Sequence, residues 1–256
     1  MRRQNHLRHF DGCQNAWVIG PFRLAMRALL LAAVLVVGLC GCGLLDPVRM
    51  AEQAVADYAR KVIGPADSYR VHIDRRGTRL RQGRISRLVV EGVRVRSNAG
   101  LVVNRAEAEL YDVQVDVKSR SVVSVGRSLV VGEVLEDDAN AYVAQRQDVL
   151  RRARFEFLEG RMAVTVEPQV AGLAVPVRIE GQPRLGEGGE ILFEADMLRV
   201  ARLNVPRFLV RLIERRINPV FRVDELGLPL VLEDVRVEQG KMIASGRLDV
   251  GKLPVE

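Results

Sequence analysis

Apolar positions recur along this chain with two different periods, and the switch between them separates helices from strands. From residue 47, Val48, Ala51, Val55, Tyr58, Ala59 and Val62 repeat every three to four positions and make one stripe of an amphipathic helix. Asp46-Pro47 opens this helix as N-cap and first-turn proline, and Gly64-Pro65 ends it. A second helix is expected from about Ala139 to Ala153, capped by Asp137 or Asp138, with Tyr142, Val143 and Leu150 inward. A third follows Asn204-Val205-Pro206 and ends near Ile217; its Phe208, Leu209, Leu212, Ile213 and Ile217 oppose Arg207, Arg211 and Arg215. Elsewhere the period is two. Tyr69, Val71 and Ile73 alternate with polar neighbours, and longer alternating runs cover 84–96, 101–117, 153–167, 170–179, 190–200 and 230–248. Short turn signals such as Glu159-Gly160 and Gln239-Gly240-Lys241 separate them, so the strands pair as hairpins, antiparallel. The fold class is α+β.

Two strand segments repeat. Residues 88–95, LVVEGVRV, and 230–237, LVLEDVRV, agree at six of eight positions, and 109–116, ELYDVQVD, is a weaker copy. In each the apolar phase slips by one, which in a flat strand would turn half the valines toward water. A β-bulge at Glu91-Gly92, Glu233-Asp234 and Tyr111-Asp112 would absorb the slip, and bulges bend and twist a strand. Three of them predict a long, strongly curled antiparallel sheet.

The start of the chain follows another pattern. Ala28 to Leu45 is an uncharged run of eighteen residues between Arg27 and Asp46, the lower limit for a helix crossing about 30 Å of hydrocarbon. It ends in Gly38-Leu39-Cys40-Gly41-Cys42-Gly43, poor material for a membrane helix. Arg23 and Arg27 ahead of an apolar stretch are instead in the order of an export signal, and Met26 is an alternative start for it. Leu39-Cys40-Gly41-Cys42 resembles a bacterial lipobox, with Cys42 in the acylated position; Cys40 would follow Leu39 where a small residue is required. An uncleaved anchor and plain secretion stay open beside lipidation, and all three leave the residues after 46 outside the cytoplasm. The chain thus divides into a leader, 1–42, and one domain, 43–256, held on the periplasmic side or at the outer membrane.

Composition narrows the chemistry. All three cysteines (Cys13, Cys40, Cys42) lie in the leader, so the domain has no disulfide framework, thiolate metal site or thiol nucleophile. The net charge of +7 is also partly the leader's: residues 1–42 hold five Arg and one Asp, and the domain holds 34 basic and 31 acidic residues. With few aromatics and no basic block, nucleic-acid binding has little support.

The combination of a lipoprotein-type leader, one capped helix and strands of the form GRISRLVVEGVRV and AELYDVQVDV resembles the LmeA-like family of bacterial envelope phospholipid-binding proteins. The NVPRFLVRLIERRINPVF segment and the hairpin from Leu228-Pro229-Leu230 through Val235, Val237, Gly240, Ile243 and Gly246 strengthen the likeness over roughly 47–250. Lys241-Met242 departs from the family pattern. The resemblance implies a tubular lipid-binding type of fold, a sheet curled around a long helix with two or three helices in all. It also implies a non-enzymatic phospholipid-binding or lipid-carrying role in the envelope.

Candidate site residues follow. Val93, Val95, Val113, Val115, Val235 and Val237 on the slipped strands, with Leu209 and Ile213 of the third helix, would line either a solid core or an acyl groove, which have the same composition. Arg207, Arg211 and Arg215 would either face solvent or meet a membrane surface and phosphate headgroups. A structural role, binding a protein partner through a sheet edge or the Arg-rich face, is the alternative. Catalysis finds no constellation. His72 is the domain's one histidine, on the polar face of its strand, and Ser68 on that face lies roughly 13 Å away. Neither a metal site nor a cofactor is expected. Replacing Cys42 with Ser is expected to abolish incorporation of labelled palmitate in cells, while Cys40→Ser leaves it unchanged.

Overall fold

The computed structural model describes residues 46–97, 99–116, 121–145, 153–167, 169–170, 173–174, 176–200, 203–204, 214–215, 217–223 and 229–249. In chain order these form helix α1 (Pro47–Val62) and strands β1 (Ser68–Ile73), β2 (Arg84–Arg96), β3 (Val102–Asp116), β4 (Ser121–Ser124) and β5 (Arg127–Leu135). Helix α2 (Glu136–Gln145) follows, then β6 (Arg154–Leu158), β7 (Arg161–Val166), β8 (Gln169–Val170), β9 (Leu173–Ala174) and β10 (Val177–Leu185). The chain closes with β11 (Glu190–Val200), β12 (Leu203–Asn204), β13 (Phe221–Arg222), β14 (Leu230–Glu238) and β15 (Lys241–Leu248).

The expected capping of α1 is present. Asp46 accepts a hydrogen bond from Val48 N (3.1 Å), Pro47 occupies the first turn, and Gly64 leaves the helix at φ +133°. Ala51, Val55, Tyr58 and Ala59 of the predicted stripe are buried. α2 starts at Glu136, earlier than expected, because Glu136, Asp137 and Asp138 all fall within its first turn. Its Tyr142 and Val143 are buried as read from the sequence, whereas Leu150 lies outside the described residues. So do most of the third helix and the leader; of the former, Glu214, Arg215 and Ile217 are helical.

The strands do not form one sheet. They divide into a strongly curled sheet of order β1-β2-β3-β5-β15-β14, with β4 beside β3, and a second of order β12-β11-β10-β7-β6, with β13 beside β11. β8 and β9 make a separate ribbon. Among the described residues every pairing is antiparallel. One core, which includes Val55, Leu88, Phe155, Phe193 and Val237, runs between the sheets. β5 was not read from the sequence, although it sits at the centre of the curled sheet. Its LVVGEV segment lacks polar alternation and carries Gly132 where an apolar side chain would reveal the period.

The phase slips have two physical solutions. In β14 Glu233 is an extra residue, for the register shifts between Leu232 and Asp234, so the expected bulge is there. In β2 and β3 the register runs unshifted past Glu91-Gly92 and Tyr111-Asp112, so neither holds a bulge between these two strands. The slip is carried instead by Arg94 and Asp112, at φ +53° and +51°. The buried face of β2 accordingly reads Ile85, Leu88, Val90, Gly92, Val95. Both strands kink and stay in step. Gly92 is required here: a Cβ would meet the Tyr69 ring at 3.0 Å and Val95 at 2.5 Å.

Side chains on helices cover open strand edges. Asn140 of α2 donates to Phe155 O (2.9 Å) and accepts from Phe155 N (2.8 Å), while Glu136 accepts from Phe157 N (2.7 Å). The arrangement recurs: Asn218 donates to Phe193 O (2.8 Å) and accepts from Phe193 N (2.7 Å), and Glu214 accepts from Ala195 N (2.9 Å). Four helical residues rise about 6 Å and two strand residues about 6.6 Å, so positions i and i+4 of a helix meet successive backbone groups on one strand edge. Glu52 of α1 makes a single such bond, from Ile73 N (2.9 Å), on β1. Asn140→Ala removes two hydrogen bonds and leaves the Phe155 amide unpartnered at the sheet margin. A loss of about 2 kcal/mol in urea unfolding is expected, with Asn218→Ala costing a similar amount.

Candidate functional site

Between the two sheets the core does not close. A cavity of about 130 Å³ remains, lined on the curled side by β3, β5, β14 and β15, through residues such as Val103, Val130, Leu230, Leu232 and Ala244. Phe155, Phe157 and Met162 of β6 and β7, with Ile191 of β11, face them. Ala139, Tyr142 and Val143 of α2 and the segment Val220–Val223 contribute further wall, and Tyr142 meets Phe221 edge-on with ring centroids 6.2 Å apart. Among the described residues Ser97 and Tyr142 are the only polar side chains in the lining, and the Ser97 hydroxyl accepts from Leu101 N (3.1 Å). Apolar cavities of this size, about 150 Å³, stay dry and admit a benzene-sized guest.

Strand period explains how the wall is built. Met242, Ala244 and Gly246 of β15 alternate toward the cavity, as do Val130, Gly132 and Val134 of β5, with Val131 also at its border. Small residues fall where the space is. A Cβ on Gly132 would find only Val103, at 3.7 Å, so the space there is not a consequence of backbone crowding.

The predicted lining valines are distributed differently. Val95 lines the cavity. Val113 and Val115 are buried in the filled part of the core, and Val237 is buried near the β6–β7 turn, where Gly160 N donates to its carbonyl (3.0 Å). Val235 is half-buried, and Val93, just before the Arg94 kink, is 37% exposed. None of these five is in the wall. Arg215 is exposed; Cys42, Arg207, Leu209, Arg211 and Ile213 lie outside the described residues. The lining of β5 and β15 was missed by the sequence reading; its signal was a period of two in which small residues replace large ones.

Charge holds the wall from behind. Arg94 donates to both oxygens of Asp138 (2.5 and 3.0 Å), tying the β2 kink to the first turn of α2. Asp138 is 8% exposed, and its carboxylate raises the pKa of the Arg94 guanidinium. On the outer face of the curled sheet Glu133 accepts from Asn104 Nδ2 (2.6 Å) and Lys241 Nζ (3.0 Å), joining β3, β5 and β15. The Asn104 hydrogen bond, and then that of Lys241, holds the Glu133 carboxyl below its ordinary range. His72 is 74% exposed at the side chain, its Nδ1 3.7 Å from Glu52. Among the described residues no three His, Cys, Asp or Glu side chains converge on a metal-sized site, and no helix is long and apolar enough to cross a membrane.

The sequence matches the profile of LmeA-like phospholipid-binding proteins over residues 48–247. The chain belongs to the LmeA-like phospholipid-binding family. No curated protein and no solved structure matches it. The family match covers both sheets to within one residue and, among the described residues, the whole lining of the cavity.

Because the Glu133 carboxyl titrates lower in the folded chain than in the unfolded one, its contribution is complete above the unfolded value, about 4.3. It is lost as pH falls through the folded value. Glu133→Gln is therefore expected to be less stable than wild type at pH 7. The difference in denaturation midpoint should shrink once pH drops below about 4.

Proposed function

We propose that this protein is a non-enzymatic phospholipid-binding lipoprotein of the bacterial envelope. It takes acyl carbons into the cavity between its sheets and carries or presents the lipid near the membrane that anchors it through Cys42. The observation that supports this reading is the apolar cavity in a member of a phospholipid-binding family. Each buried methylene contributes about 0.8 kcal/mol, so six carbons in a space of this size give about 5 kcal/mol without any polar recognition. A whole diacyl lipid exceeds that volume. Full binding therefore requires the sheets to part along their seam or the remaining chain to lie outside it.

The other reading, a partner protein added to a sheet edge, has less support. Glu52, Glu136 and Glu214 already accept backbone amides of β1, β6 and β11, where an added strand would have to bond. Export, lipidation of Cys42 and residence in the envelope rest on the leader sequence and the family.

Ala244→Phe tests the cavity. The substitution places a benzene-sized ring in the space a guest would fill. Native mass spectrometry of the purified wild-type chain is expected to show retained phospholipid, and the variant to show little, with an unchanged or higher melting temperature. Wild-type protein that neither retains phospholipid nor takes it up from vesicles would overturn the reading.

A further inference from the structure

The loop between β1 and β2 is the most basic stretch of the molecule. From Arg75 to Val90 the chain carries six arginines (75, 76, 79, 81, 84 and 87) and no acidic residue. The near-balanced charge of the whole domain conceals this concentration. Arg75, Arg76, Arg79, Arg81 and Arg84 are all exposed. Arg87 is neutralised by Glu109 (2.8 Å), and Arg75 by Asp46. Among the described residues Arg76, Arg79, Arg81 and Arg84 have no carboxylate partner within ion-pair distance.

The loop is built rather than loose. Thr78 Oγ1 accepts from Ser86 N (3.1 Å) and donates to Asp74 O, and Ser86 Oγ donates to Arg76 O (2.6 Å). Arg79 and Arg84 exchange both backbone hydrogen bonds (2.8 and 3.1 Å), around a turn closed by Gly83 at φ +68°. That pairing sets two guanidinium-bearing residues directly opposite each other, an arrangement that repels in the free protein. Asp74, just ahead of the loop, accepts from Arg76 N through Oδ1 (2.9 Å), so among the described residues no carboxylate pairs with these four guanidinium groups, and the loop is open to an anion from outside.

Position names the anion. Arg75 bonds Asp46, the N-cap of α1, and the eighteen-residue apolar run Ala28–Leu45 ends at the residue before it. If that run remains as an anchor or is cut at an acylated Cys42, as the proposed function has it, the bilayer begins within a few residues of Asp46. The arginine loop is fastened at that same point. We propose that the 75–84 loop is a docking surface for an anionic phospholipid bilayer. Its arginines engage headgroup phosphates in the leaflet where the chain is anchored and orient the domain on it. The site is separate from the cavity, and the proposal rests on the proposed membrane anchor and lipid-facing role for the choice of a membrane over an acidic protein.

The test uses the full chain reconstituted in nanodiscs of phosphatidylcholine alone or with phosphatidylglycerol added. Amide hydrogen exchange over residues 75–84 is expected to slow in the anionic discs only, and to return to the neutral-disc rate at high salt. Each arginine near an anionic surface is worth roughly a five-fold change in binding. Arg79→Gln/Arg81→Gln should therefore abolish most of the difference, while Arg184→Gln/Arg247→Gln, on ion-paired surface arginines, leaves it intact. The loop variant should melt no lower than wild type, since it relieves repulsion. Equal exchange in the two kinds of disc overturns the proposal, as does protection that appears only when an acidic protein is added. Phospholipid retained in the cavity is read separately by native mass spectrometry, so either reading can fail without the other.

Discussion

The structure depends on helix side chains doing the work of a missing strand. A curled sheet facing a second sheet leaves edges that neither can pair, and an unpaired row of amides invites aggregation. Glu136 with Asn140 on α2, and Glu214 with Asn218, whose N–H closes a turn on Glu214 O (2.9 Å), satisfy those groups from positions four apart, against strand groups two apart. The near equality of the two rises makes this geometry available. The same bonds that close the edges of β6 and β11 bring α2 and the 217–223 segment over the space between the sheets. Edge protection and the shape of the cavity are therefore one arrangement.

The kinks serve the same end by another route. A register-shifting bulge in β14 and left-handed residues in β2 and β3 each turn the inward face, so apolar residues stay inside a strongly bent sheet. Left-handed Arg94 is an energetically poor residue for that conformation, and its double hydrogen bond to Asp138 offsets part of that cost while fixing α2. The curled wall and the helix that borders the cavity are thus joined at a charge pair rather than by packing alone. Small residues then leave the middle of the wall unfilled: Gly132, Ala106, Ala139 and Ala244 stand there.

Two surfaces of different chemistry follow from the fold. The seam between the sheets is almost wholly apolar and suits hydrocarbon, while the 75–84 loop is cationic and suits phosphate. They belong to different parts of the topology: the seam to β3, β5, β14 and β15 with β6 and β7, and the loop to the β1–β2 connection.

Local patterning determined much of this protein by itself. The Asp46-Pro47 cap, the α1 stripe, the span of β2, the β14 bulge and the exposed His72 were all legible, because each is set by neighbours in sequence. The apolar run and Cys42, on which the export expectation rests, lie outside the described residues. Retrospectively, EDDAN with RFEFL and ERRIN with LFEAD form a repeated signature of helix and strand edge, though nothing local says that the two members of each pair meet. Tertiary structure decided the rest. It made two sheets where alternation suggested one, and it placed β5, hidden by Gly132, at the centre. It also chose which inward residues face a cavity and which face a filled core. Period two states which side of a strand is apolar, but an empty space is defined by atoms brought from many strands, and no single strand encodes it.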